Sequence, residues 1–120
     1  KGTSALHTTL LMAAEKLGVA DEVNQELEYS IGALYKRMEN MVPSLPAVAD
    51  RFVGEMEEIA KTMGAVGLPT GFHDGSAELY ELLARSPYAS ETRETVDKSR
   101  TMRQTIAGSV AALDIKDAAE

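Results

Sequence analysis

The run from Leu45 to Thr70, LPAVADRFVGEMEEIAKTMGAVGLPT, constrains the fold more than any other stretch. Apolar residues fall at Leu45, Val48, Ala49, Phe52, Val53, Met56, Ile59, Ala60, Met63 and Val66. Spacing of three and four residues, held for about six turns, predicts one long helix with a single stripe facing inward. Ser44 is placed to cap its start, and Pro46 sits in the first turn, where a missing N–H is harmless. Gly67 tolerates positive φ and Pro69 cannot continue a helix, so the stop falls just after Val66. In a chain of 120 residues such a helix lies at the centre of the packing or across a partner.

The segments on either side are also helical. Residues 2 to 17, GTSALHTTLLMAAEKL, predict a first helix with Leu6, Leu10, Ala13, Ala14 and Leu17 as its stripe and Gly18 after its end. Its LLMAA half is apolar nearly all round and is expected to be deeply buried. From Asp21, a candidate cap, Val23, Leu27, Ile31, Leu34, Met38 and Met41 keep one face. That reads equally as one helix or as two, broken near Ser30–Gly32. After Gly71 a helix carries Phe72, Ser76, Leu79, Tyr80 and Leu83 and ends near Arg85, with Ser86-Pro87-Tyr88 as the break. Ser90 is the expected cap of a last helix, with Glu91 and Glu94 in its first turn and Val96, Met102, Ile106, Val110 and Leu113 as a thin stripe. The small residues Ala107, Gly108, Ala111 and Ala112 beside that stripe suit the close approach of another helix, including one from a second subunit. No strand pattern of useful length occurs. The expected class is all-α, a single domain over residues 1–120 with five or six helices.

Composition narrows the function. A formal net charge of −7 opposes non-specific nucleic-acid binding, which needs a dense Lys/Arg face, but leaves room for one local anion site. The absence of cysteine excludes disulfides and thiolate metal sites. No apolar run approaches the roughly 20 residues of a membrane span, so the expectation is a cytoplasmic protein with no membrane partner. The chain starts at Lys1 without an initiator methionine and turns apolar-periodic within a few residues, which predicts further structure upstream.

Few residues suit self-contained chemistry. Two histidines far apart make a weak metal set, and His73-Asp74 reads better as a surface pair near a helix start. No nucleophile elbow, P-loop or dinucleotide glycine motif occurs. Glu55, Glu57 and Glu58 spread round the polar face of the long helix, with Glu57 and Lys61 at i,i+4 spacing. The six methionines fall mostly on apolar stripes and read as core. The exception is the first half of the first helix: Lys1, Thr3, Ser4, His7, Thr8 and Thr9 crowd together there without an acid. Lys1, Ser4 and Thr8 share a face at helical spacing. Small hydroxyls there either allow close helix packing or, with the cation and the helix start, form a site for phosphate or carboxylate.

The strings RFVGEMEEIA, GLPTGFH and AELYELL, with the opening KGTSALHTTLLMAAEKLGV, resemble the C-terminal helical domain of 6-phosphogluconate dehydrogenase-like and β-hydroxyacid dehydrogenase-like NAD(P)-binding proteins. The closest subgroup is the one whose C-terminal domain is catalogued as being of unknown function, and the likeness covers roughly residues 1 to 85. It implies a multihelical bundle built around long antiparallel helices. It also implies an N-terminal Rossmann domain, absent from this chain, that binds NAD or NADP. The helical domain then encloses a small anionic substrate, such as a hydroxy acid, and forms a homodimer. The family's catalytic lysine, in a Lys-x-x-x-Asn motif, would lie about two turns before Lys1, so no catalytic residue is expected within the chain. The alignment puts Lys1 at the substrate's anionic end, with Ser4, His7, Thr8 and Arg51 as further substrate-binding candidates. A second family lysine aligns near Gly54-Glu55-Met56, where this chain has no cation, and Arg51 one turn earlier is the candidate substitute. The competing expectation is a non-enzymatic helical interaction or dimerisation module.

Overall fold

Helix α4 (Leu45–Ala65) and helix α5 (Gly71–Ala84) form an antiparallel hairpin that the rest of the chain wraps. In this computed structural model, residues 1–119 are described, with side chains for residues 1–113. α1 (Gly2–Lys16), α2 (Ala20–Ser30) and α3 (Gly32–Met41) precede the hairpin, a 3₁₀ turn (Val42–Ser44) leads into α4, and α6 (Met102–Ala119) follows. No strand occurs among the described residues, so the class is all-α, a multihelical bundle as expected.

The hairpin direction follows from its contacts. Thr70 packs against Gly64 beside the turn, and farther from it the Phe52 and Tyr80 rings meet edge to face, centroids 5.3 Å apart. The predicted stripe of α4 is the one that is buried: Leu45, Ala49, Phe52, Met56 and Ala60 lie in the core, with Val48, Val53 and Ile59 against it. Burying a residue such as Met56 or Leu83 contributes about 1.5–3 kcal/mol each, so this seam is the main store of stability. Val66 lies beyond the stripe and is exposed. Both predicted glycine stops hold. Gly18 and Gly67 have φ of 74° and 80°, and each ends its helix in a Schellman motif. Val19 N–H bonds to Ala14 O as Gly18 N–H bonds to Glu15 O, and Leu68 N–H bonds to Met63 O as Gly67 N–H bonds to Gly64 O.

Between the two readings of residues 21–41, the structure selects two helices. Ile31 breaks them with φ −137° and ψ 52°. The corner is held by a buried pair: the Tyr35 hydroxyl donates to Asn24 Oδ1 (2.8 Å), and Asn24 Nδ2 donates to Ala20 O (2.7 Å).

Four sequence expectations are corrected. In α1 the buried stripe is Ala5, Thr8, Leu11 and Met12 with Ala14, while Leu6, Leu10, Ala13 and Leu17 face out. The helix is apolar on more than one side, so spacing alone left its rotation open. Thr8 is accommodated inside because its hydroxyl donates to Ser4 O (2.7 Å). In α5, Phe72 is 80% exposed although Ser76, Leu79, Tyr80 and Leu83 are buried as expected. Ser90 caps no helix: residues 85–101 run as turns, and α6 begins at Met102. Its start is a reciprocal capping box, with Gln104 N–H to Thr101 Oγ1 (3.1 Å) and Thr101 N–H to Gln104 Oε1 (2.9 Å). That pair satisfies two helix-start donors at once, whereas Ser90 and Glu94 offer no such closure. Nor does Ser44 cap α4, since its hydroxyl donates back to Met41 O (3.0 Å).

Arg100 pins the irregular segment. Its guanidinium donates to both carboxylate oxygens of Glu91 (2.6 and 3.0 Å), to Pro43 O (3.0 Å) and to Thr105 Oγ1 (3.0 Å), and lies 3.9 Å from the Tyr88 ring centroid. Tyr88 in turn lies so close to Gly108 that a side chain there would overlap its hydroxyl. The small residues of α6 thus receive an aromatic ring of the same chain at Gly108. Thr105 and Ser109 widen the thin stripe of Met102, Ile106 and Val110, buried with their hydroxyls bonded to the carbonyls four residues back.

Two outcomes are expected in urea or thermal unfolding of the chain. Gly108→Ala destabilises by about 1–3 kcal/mol through overpacking, whereas Gly54→Ala, on an open face of α4, stabilises by about 0.5–1 kcal/mol. Arg100→Ala lowers stability by about 3 kcal/mol, because its side chain is only 9% exposed and Glu91 is left behind unpaired. Glu91 is held below its ordinary pKa of 4.5, first by the Arg100 hydrogen bond. A depressed carboxyl contributes stability above that ordinary value and loses it as pH falls through the depressed one. Glu91→Gln therefore flattens the acid side of the stability curve, and unfolding midpoints measured below and above pH 4.5 check it.

Candidate functional site

Tyr80 fixes where α1 begins. The ring is fully buried between α4 and α5, and its hydroxyl donates to Lys1 O (2.6 Å), which also accepts from Ala5 N–H (3.0 Å). Burial without a charged partner pushes the Tyr80 phenol up to about 12, so it stays a neutral donor at any physiological pH. With its carbonyl held, Lys1 extends its side chain across Phe52, ammonium 4.8 Å from the ring centroid, and pairs with Glu55. Arg51 approaches the same carboxylate from its own helix, Nε 3.5 Å from Glu55 Oε1, and the same ring at 5.4 Å. The hydrogen bond from Lys1, then the charges of Lys1, Arg51 and Arg93, hold the Glu55 carboxyl below its ordinary range. Lys1 and Arg51 thus share one carboxylate and one aromatic ring, and the charge of Arg93 reaches the same acid.

Next to this cluster, α1 and α3 bound a cleft of about 280 Å³. Lys1, Thr3, Ser4 and His7 line it from α1, Arg37 from α3, and Leu34, Met38, Met41 and Val42 form its apolar side. No acid lines it. Among the expected substrate residues, the structure brings Lys1, Ser4 and His7 into one cleft. Thr8 is not there: it is wholly buried, and its hydroxyl donates to Ser4 O. Arg51 lies outside the cleft too, on the Glu55 side of Phe52. Sequence reasoning missed Arg37. The available signal was its place on the polar face of a helix whose other face carries Tyr35 and Met38, but only the packing of α3 against α1 aims that face at Lys1.

Among the described residues no three His, Cys, Asp or Glu side chains gather as a metal site would need. His73 is half-buried against Gly2 rather than on the surface, with Nδ1 enclosed and unpaired. The polar face of α4 pairs as Lys61 with Glu58 (3.3 Å), in place of the expected Glu57–Lys61. No helix of the described residues is long and apolar enough to cross a membrane.

No curated protein and no solved structure matches the chain. A family model does, over residues 14–83, which takes in α2 to α5 with Arg37, Arg51 and Glu55 and leaves Lys1, Ser4 and His7 outside. That span is more than half of the 120 residues, and the chain belongs to the family described as a domain of unknown function (DUF1932).

Proposed function

We infer that this chain is the substrate-enclosing domain of an NAD(P)-dependent oxidoreductase acting on a hydroxy acid or related small anion. The observation that carries the reading is the cleft between α1 and α3, which combines Lys1, Arg37, His7 and two hydroxyls with an acid-free lining. Domains of this family are generally found in the C-terminal part of dehydrogenase-like proteins, which supports the same reading. An anion entering the cleft meets Arg37 directly and competes with Glu55 for Lys1. That competition is cheap, because the Lys1–Glu55 pair is well exposed on both sides and screened by solvent. NAD or NADP is assigned to an upstream Rossmann domain, as are the catalytic lysine and the hydride transfer. This chain's residues bind and orient the substrate's anionic end and exclude water from one side.

A second reading, a dimerisation module without catalysis, is favoured by the groove between α1 and α5, where Leu6 and Phe72 are 68% and 80% exposed. Homodimer formation is part of both readings, so a dinucleotide-binding measurement, not oligomeric state, separates them.

The test uses the natural protein with its upstream polypeptide, assayed for NAD(P)⁺ reduction across small hydroxy acids. Lys1→Ala is expected to raise KM for the anionic substrate by the equivalent of about 1.5–3 kcal/mol with kcat nearly unchanged. An unchanged KM would show that Lys1 serves Glu55 alone. A whole protein that binds no dinucleotide would remove the oxidoreductase reading. The 120-residue chain on its own is expected to turn over nothing.

A further inference from the structure

Residues 85–101 form a long connection without helix or strand, of a kind uncommon in so small a domain unless it builds something. Arg100 holds it rigidly against the 3₁₀ turn and α6. Between this segment, the end of α3 and the start of α4 lies a second cavity of about 520 Å³, within the size range of small-molecule sites. It shares only Met41 with the α1–α3 cleft. Its floor is apolar, with Leu45, Val48 and Phe52 from α4 and Val96 from the irregular segment. Arg93 and Lys98 line it as well, and neither makes an ion pair within the described residues, although the charge of Arg93 reaches Glu55. The third cation, Arg100, is neutralised by Glu91. Two acids line it as well: Glu39, and Asp97, which stays ionised and whose Oδ1 accepts from Ser99 N–H (2.9 Å) and Ser99 Oγ (2.6 Å).

The geometry points to this cavity as a binding site for a small amphipathic anion, a carboxylate with a medium-chain or aromatic body. The body covers Val48, Phe52 and Val96, where it removes apolar surface from water. The carboxylate reaches the Arg93 and Lys98 side and gains charge-assisted hydrogen bonds that a neutral or cationic head cannot make. The site shares the Phe52 ring and the charge of Arg93 with the Glu55 cluster, but of the residues that line the α1–α3 cleft it holds only Met41.

Octanoate is the probe, with octan-1-ol, octylamine and inorganic phosphate as comparisons, titrated into the full chain and followed by methyl carbon–proton correlation NMR. The Val48 and Val96 methyls report this cavity alone, and the Leu34 methyls report the cleft alone. Octanoate is expected to shift Val48 and Val96 saturably. The Arg93→Ala/Lys98→Ala double variant, both on exposed residues that the fold does not use, weakens it about tenfold, and octan-1-ol binds weaker by a similar factor. The proposal is overturned by shifts confined to Leu34, by octylamine binding as well as octanoate, or by phosphate binding as well, which would leave a plain anion spot. Undiminished binding by the double variant, or no saturable shift, overturns it too.

Discussion

The hydrogen bond from the Tyr80 hydroxyl to Lys1 O joins the hairpin of α4 and α5 to the start of α1. Tyr80 sits at the one place where the three helices meet, fully buried, with Phe52 edge-on to its ring. A phenol enclosed this deeply needs a partner, since an unsatisfied buried donor costs about 1–3 kcal/mol. The carbonyl of Lys1 meets that need before α1 has formed its first complete turn. The start of the helix is therefore set by the core rather than by a side-chain cap, and α1 has none. The same bond aims the Lys1 side chain over Phe52 and toward Glu55. Packing of the hairpin and placement of the Lys1 side chain are one event.

A comparable economy runs through the connection between α5 and α6. A segment of this length would be mobile if it depended on apolar contacts, because it has few. Instead Arg100 spends four of its donor contacts on Glu91, Pro43 and Thr105 and stacks against Tyr88, whose hydroxyl end fills the space that Gly108 leaves open. A planar, permanently charged fork suits this task, since it satisfies groups from three directions without shifting its protonation. The result is a polar hub carrying out, for residues 85–101, what the stripe of Met56 and Phe52 does for the hairpin.

These two features also explain what was legible in the sequence. α4 was readable because its apolar residues form one narrow stripe and its end is marked by a glycine that must take positive φ. The Schellman ends at Gly18 and Gly67 followed for the same reason. The rotation of α1 was not readable: with leucines on several sides, the choice fell to the helices that pack on it, and Thr8 went inside by bonding its own backbone. The start of α6 was written in Thr101-x-x-Gln104, but Ser90 with Glu91 and Glu94 offered an equally plain local signal. The contest was settled by Arg100, whose claim on Glu91 is a contact between residues nine apart that no helical periodicity contains. In the candidate site, Lys1 and Ser4 were legible as sharing a face at helical spacing and His7 as one of the polar residues crowded there, whereas Arg37 required knowing that α3 lies across α1.

Glu55 carries the remaining step. The family resemblance expects a lysine near this position, and the chain has a carboxylate there, flanked by Lys1, Arg51 and Arg93. Replacing a cation by an anion in this cluster lowers its net positive charge. Here the three cations outnumber the acid, and Phe52 offers its face to two of them, so the cluster keeps a positive excess while no ligand is bound. The exposed Glu55 carboxylate offsets part of that charge through pairs of a weak, solvent-screened kind. Arg37 lies across the cleft, outside the pairing with Glu55, and keeps its charge for the cleft itself.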